Sequence, residues 1–246
     1  MTSEAVPRPL LLAWLEEGTD LLRGQLDRAD EWWVTGSSPL PGWTTAHLLT
    51  HLARNADALD NLVTWAATGV ETPMYPHGAA GRLRDIEDGA RRDPRAILDD
   101  VRDSAARLQR SLAELEDAAW THTVRTAQGR LVTADLIPWL RIREVWIHLV
   151  DLGSGVTFSA LPDDLATALL PDVIATLARH DDCPAVVVRT EPGGLASATR
   201  PDEPIGTTTE VRGNTAELLG WLTGRTSGAG LTASDPGGLP KLPAWL

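Results

Sequence analysis

The chain has 246 residues, with 34 acidic against 22 basic side chains and a formal charge of −12. Its one cysteine, Cys183, excludes an internal disulfide and a CxxC metal or redox site. A pI near 4.9 argues against nucleic acid and anionic lipid as partners, since both require a basic face.

Residues 1–7 are polar and lack the apolar core of a signal peptide. No apolar run approaches the roughly 20 residues that span a bilayer. The expectation is a soluble cytoplasmic protein. Of the 22 basic residues one is a lysine, Lys241, and the rest are arginines. An anion held by a side-chain cation is therefore expected on arginine, whose fork fits a carboxylate in bidentate fashion.

Leu10, Leu11, Trp14, Leu15, Leu21, Leu22 and Leu26 recur at helical spacing and predict a helix near 8–28. After a Pro- and Gly-containing loop at 37–42, Thr44 or Thr45 caps a long helix to about residue 68, closed by Gly69. Residues 70–79 read as a loop, and 82–91 as a short helix. Asp93-Pro94 is a cap and first residue for a helix to about Leu115. A connector with Gly129 leads to a last long helix, capped by Thr133 and running to about Leu152, which Pro138 is expected to kink. Four long amphipathic helices make a bundle.

Past Gly153 and Gly155 the texture changes. A helix is expected from Pro162 to about His180, strands at 185–190 and 207–211, and a helix from Asn214 to Leu222. Mixed elements after an all-helical stretch predict two domains, a helical bundle over 1–155 and a smaller α+β domain over 156–246.

Two of the bundle helices carry candidate ligands at a spacing of four, which places each pair on one helix face. His47 and His51 lie in AHLLTHLARNAD, and Glu144 and His148 in RIREVWIHLVDL. Both pairs have apolar neighbours, and a buried charge is costly unless it is paired or bound to metal. Imidazoles and a carboxylate projecting from two helices suit a divalent metal, and two His with one Glu leave a zinc position open for catalysis. The same donors suit Fe, Mn or Ni. Spacing leaves open which three of the four bind, and an exposed helix face with satisfied histidines gives the same spacing.

The segment LPGWTTAHLLTHLARNADAL (residues 40–59) resembles the motif of mycothiol-dependent maleylpyruvate isomerases, members of the DinB-like family of metal-binding four-helix bundles. REVWIHLVDLG (143–153) is similar to the family's second metal motif. WLTGR (221–225) and the closing LPKLPAW resemble its C-terminal domain. The resemblance implies an N-terminal DinB-like bundle with a smaller C-terminal α+β domain. It implies Zn²⁺ held by His51, Glu144 and His148, with His47 structural or behind the ligands. It makes Arg225 the essential C-terminal arginine, with Arg212 nearby as the competing match. The implied reaction is the cis-to-trans isomerisation of maleylpyruvate to fumarylpyruvate in gentisate breakdown. It proceeds by reversible addition of the thiolate of mycothiol to the C=C bond, with the thiol sulfur at the metal and Arg225 on a substrate carboxylate.

Asn55, four residues after His51, and Arg82, after the Pro-rich loop, are candidates to contact the ligand; a plain helix residue and a surface arginine are the alternatives. Asp151 either orients the His148 imidazole from behind, caps the helix or faces water. Trp43 and Trp146 adjoin the ligands in sequence and are either core or pocket wall. His77, His122 and His180 read as solvated, and Cys183 as structural. Two other functions are compatible with the same site: a mycothiol S-transferase that retains the thioether, and a non-enzymatic metal- or thiol-binding module.

Overall fold

The computed structural model describes residues 6–192, 194–201 and 208–245. They form two compact units, which part between Gly155 and Val156.

The first unit is helical. Its long helices are α1 (Arg8–Leu26), α3 (Thr45–Thr68), α5 (Pro94–Glu114) and α6 (Ile137–Asp151), with the shorter α2 (Glu31–Thr35) and α4 (Gly78–Gly89) in the connections. α3 is the central element and packs on α5, α4 and α6. Its sequence explains that position. Leu48, Leu49, Leu52, Ala53, Ala56, Leu59, Leu62 and Ala66 are all fully buried, so the apolar surface runs around most of the helix rather than along one stripe. α5 is the opposite case. It buries Ile97, Val101, Ala105, Leu108 and Leu112 on one face and turns its Arg and Asp residues outward. Each fully buried leucine contributes about 1.5–3 kcal/mol.

Two glycines set how closely helices approach. A Cβ on Gly18 of α1 would lie 2.6 Å from Trp146 Nε1 of α6, and one on Gly89 of α4 would clash with Thr50 Cγ2 of α3. A side chain at either position would push the helices apart.

Four local expectations are corrected. The connector before α6 contains a hairpin, β1 (Thr123–Arg125) and β2 (Leu131–Thr133), paired antiparallel with Val124 opposite Val132. Thr133 does not cap α6: a 3₁₀ turn at Ala134–Leu136 intervenes, and the Thr133 side chain makes no capping bond. Pro138 lies in the first turn of α6, where its missing N–H costs no hydrogen bond, so it begins the helix instead of kinking it. The short helix expected at 82–91 starts earlier, at Gly78. α3 and α5 begin and end close to where their caps predict. Thr44 is the N-cap of α3, Gly69 its left-handed C-cap, and the Asp93 side chain accepts from Arg95 and Ala96 at the start of α5.

The second unit holds α7 (Asp163–Leu177), α8 (Thr215–Leu222) and a sheet of order β4-β3-β5-β6. β3 (Val186–Thr190) and β5 (Thr209–Gly213) are parallel, with Val188 opposite Val211. β4 (Ala196–Ala198) and β6 (Thr232–Ala233) flank them antiparallel. Of the strand expected at 207–211, Thr207 lies outside the described residues. Together the two units are a helical bundle and a smaller α+β unit, the fold class expected.

Candidate metal centre

The centre is built where α3 and α6 run side by side. The apolar residues around His51 (Leu48, Leu49 and Leu52) are fully buried. They fix the rotation of α3 so that His51 faces α6 and is itself only 4 % exposed. On α6, Val145, Trp146 and Leu149 are buried in the same way, and the remaining stripe carries Arg141, Glu144 and His148. Steps of three and four residues keep these side chains on one face.

His51 Nε2 lies 2.9 Å from Glu144 Oε2 and 3.1 Å from His148 Nε2, and the third side, His148 Nε2 to Glu144 Oε2, is 3.4 Å. Neighbouring donors of a tetrahedral ion with bonds of about 2.0–2.1 Å are about 3.3 Å apart, so this triangle matches one face of such a site. Two imidazole nitrogens and one carboxylate oxygen are also a suitable donor set for zinc. His51, Glu144 and His148 are the His, Cys, Asp and Glu residues that converge in this way among the described residues.

The electrostatics follow from burial and contact. Burial lowers the His51 pKa below its ordinary 6.5, against the pull of Glu144. Burial also acts to lower His148, but its hydrogen bonds to Asp151 and Glu144 outweigh that and raise it. Glu144 would be raised by burial; the two imidazoles instead hold it well below the usual carboxylate range.

Each imidazole has an outer nitrogen. His148 Nδ1 is 2.9 Å from Asp151 Oδ2, whose carboxylate is 1 % exposed. Asp151 is thus the orienting carboxylate of this ring. His51 Nδ1 lies 3.1 Å from Arg82 Nη2 of α4.

The other candidates are placed as follows. His47 takes no part in the triangle: it accepts from the Thr44 backbone N–H through Nδ1, 3.2 Å, and turns Nε2 to Glu87 at 3.5 Å. Asn55 is 5 % exposed, and its Oδ1 accepts from Arg141 Nη1 at 2.8 Å. The Trp43 ring packs edge-on against His51, 5.6 Å between centroids. Trp146 is no wall of the site; it is fully buried and donates from Nε1 to the Trp14 carbonyl of α1. His122 bonds the Ala66 carbonyl. Cys183 is buried at the start of the sheet unit. In that unit Arg225 donates to the Thr223 carbonyl and lies over the Trp245 ring, 5.5 Å away, and Arg212 pairs with Glu210 and Glu191.

Two residues near the centre escaped the sequence reading. Arg141 is 1 % exposed and donates through Nη1 to the Leu52 carbonyl and to Asn55. Helical register carried the signal, since 141, 144 and 148 form one stripe. Tyr75, the one tyrosine, sits in the Pro-rich loop under the Arg82 guanidinium, 5.7 Å from Cζ to the ring centre. No periodicity marks a loop residue, so nothing in the pattern pointed to it.

A family model described as the mycothiol maleylpyruvate isomerase N-terminal domain matches residues 12–153, and the companion C-terminal domain model matches residues 160–244. The chain belongs to this family. Its structure is similar to a crystal structure of a mycothiol-dependent maleylpyruvate isomerase, with 36 % identity, full coverage of both chains and a TM-score of 0.91. A histidine-to-alanine mutant of such an isomerase matches equally well, with 35 % identity over both full chains and a TM-score of 0.91. No curated protein matches significantly. No helix among the described residues is long and apolar enough to cross a membrane.

Proposed function

We propose that this protein is a zinc- and mycothiol-dependent maleylpyruvate isomerase, and that His51, Glu144 and His148 hold the metal. The observation that carries the reading is the triangle of three donors in a chain similar over its full length to such an enzyme.

Bound zinc would lower the pKa of a thiol enough to make it a thiolate at neutral pH. No cysteine joins the triangle among the described residues, which supports a thiol taken from solution. Such a thiolate would supply reversible addition to the substrate C=C bond, which as a single bond could rotate before the thiolate leaves to give the trans isomer. Asp151 accepts the His148 Nδ1 hydrogen and so leaves the Nε2 lone pair facing the metal position. Glu144 would bring one negative charge to the ion. Asn55 and Arg82 are proposed to contact the ligand; Arg82 standing 3.1 Å from His51 Nδ1 supports this for the arginine. Arg225, matched by the WLTGR motif alone, is proposed to bind a substrate carboxylate and stabilise the enolate formed on addition.

The test is incubation of the zinc-loaded protein with maleylpyruvate, with and without mycothiol, following absorbance and mass. Fumarylpyruvate formed only with thiol, and thiol recovered unchanged, is the expected result. A stable thioether would identify a thiol transferase instead, and no thiol-dependent turnover would overturn the enzymatic reading.

A further inference from the structure

The outer nitrogens of the two imidazoles are faced by opposite kinds of group. Asp151 behind His148 is an acceptor; Arg82 behind His51 is a donor that has no acceptor role. With His51 Nδ1 accepting from Arg82, its hydrogen is on Nε2, the nitrogen inside the triangle. A metal at Nε2 moves that hydrogen to Nδ1, where it faces the Arg82 N–H. Two donors repel, so the guanidinium must then turn to another acceptor.

On the outside of the bundle Arg54 faces Asp57 and Asp100, and Arg102 faces Asp27 and Asp99. Arg82 and Arg141 have no acidic partner within 4 Å among the described residues. Glu144, the acid of the centre, is already shared between two imidazoles.

A polar chain backs Arg82. The Tyr75 hydroxyl is engaged by Arg82 and by the Asn55 side chain; burial raises its pKa, so it remains a neutral phenol. The Asn55 carbonyl is fixed in turn by Arg141, whose Nη2 is buried and meets no acceptor among the described residues. Burial lowers the Arg141 pKa to about 10, which leaves it charged at neutral pH.

We propose that Arg82 is the anchor for a carboxylate of a small dianion, released for that role by metal coordination of His51, with Tyr75 and Arg141 as positioning residues behind it. This rests on the metal reading of the triangle. The fork of Arg82 would take the carboxylate in bidentate fashion, while Tyr75 holds the face of the guanidinium and limits its swing.

The test uses the full chain, zinc-loaded and zinc-free, and maleate as a non-isomerising cis-dicarboxylate, with binding read by calorimetry. Zinc-loaded protein should bind maleate at least about tenfold more tightly than zinc-free protein. Arg82→Met should weaken binding about 10- to 100-fold, as for a lost charge-assisted hydrogen bond. It should also shrink the effect of zinc, with zinc stoichiometry unchanged. Tyr75→Phe should weaken binding about three- to tenfold alone and add nothing to Arg82→Met, which distinguishes positioning through Arg82 from a general structural loss. Maleate binding unchanged in Arg82→Met, an undiminished zinc effect in that variant, or additive losses in the double variant would overturn the proposal. So would the absence of maleate binding to wild type at millimolar concentration. Failure of the functional reading is separable: maleate binding with these variant effects but no isomerisation would spare the anchor and reject the reaction.

Discussion

The His148 side and the His51 side of the centre differ in what stands behind the ligand. Behind His148 is a buried carboxylate that favours the Nδ1–H tautomer, the one in which Nε2 is free to bind metal. Behind His51 is an arginine that favours the other tautomer. On the proposed metal reading, one half of the site is preset for the ion and the other half would have to rearrange to accept it. A site built like the His148 side throughout would bind metal more tightly, but it would hold no arginine that changes partner when the ion enters.

The largest effects should come from the triangle itself. His51→Ala, Glu144→Ala and His148→Ala, made singly, should each abolish zinc retention and thiol-dependent turnover, because two remaining donors on a half-open face hold the ion weakly. Elemental analysis after gel filtration checks this, and stoichiometric zinc in all three variants would reject the ligand assignment. Next is Asp151→Asn. The amide keeps the size of the carboxylate but removes its charge and tolerates either tautomer of His148. Zinc affinity should fall about 10- to 100-fold, the range for partners of ligating histidines, in a competition assay with a chelating dye.

Acid should expose the same asymmetry. His148 has its pKa raised above 6.5 by Asp151 and Glu144 despite burial, while burial lowers that of His51. As pH falls, protons therefore compete with zinc at His148 first, beginning above pH 6.5, and at His51 only below it. Zinc binding should release a growing fraction of a proton as pH falls toward the raised His148 value, measurable by calorimetry in buffers of different ionisation enthalpy. In Asp151→Asn the competing limb should move to lower pH, since the group that raises His148 has been weakened. In the metal-free chain the two contributions to stability run in opposite senses. That of His148, with its raised pKa, is present below pH 6.5 and is lost as pH rises through its folded value. That of His51, with its lowered pKa, is present above pH 6.5 and is lost as pH falls through its folded value.

This asymmetry was only half legible in the sequence. The spacing of His47, His51, Glu144 and His148 points to two helix faces, and the caps at Thr44 and Asp93 locate α3 and α5. Which histidine joins the triangle depends on how α3 rotates against its neighbours. That is set by the buried leucines on several faces of this helix, and periodicity alone does not rank those faces. Asp151 could be placed behind His148 because three residues on a helix nearly complete a turn. Arg82 meets His51 through the packing of α4 on α3 at Gly89 and Thr50, a contact between segments that share no pattern. Tyr75 is farther still from any rule, since its loop contributes one side chain by its path over the helix. The hairpin before α6 escaped for a similar reason: its strands are three residues each, too short to alternate visibly.

The smallest expected effect is the one with the most informative sign. Replacing Arg82 with methionine keeps an extended apolar stem but removes the donor from behind His51 and a positive charge from beside a dication. Both changes favour the ion. The first ends the hydrogen bond that stabilises the metal-free tautomer, and the second removes a like-charge repulsion. Arg82→Met should therefore bind zinc about three- to tenfold more tightly than wild type when no carboxylate is present, whereas Asp151→Asn binds it less tightly. Added maleate should narrow or reverse the gap, because in the wild type the carboxylate occupies the displaced guanidinium and the variant lacks that compensation. A chelator titration of both variants, with and without maleate, gives four affinities. If Arg82→Met weakened zinc binding in the absence of maleate, Arg82 would be a support of the metal site like Asp151, and the two sides of the centre would be alike after all.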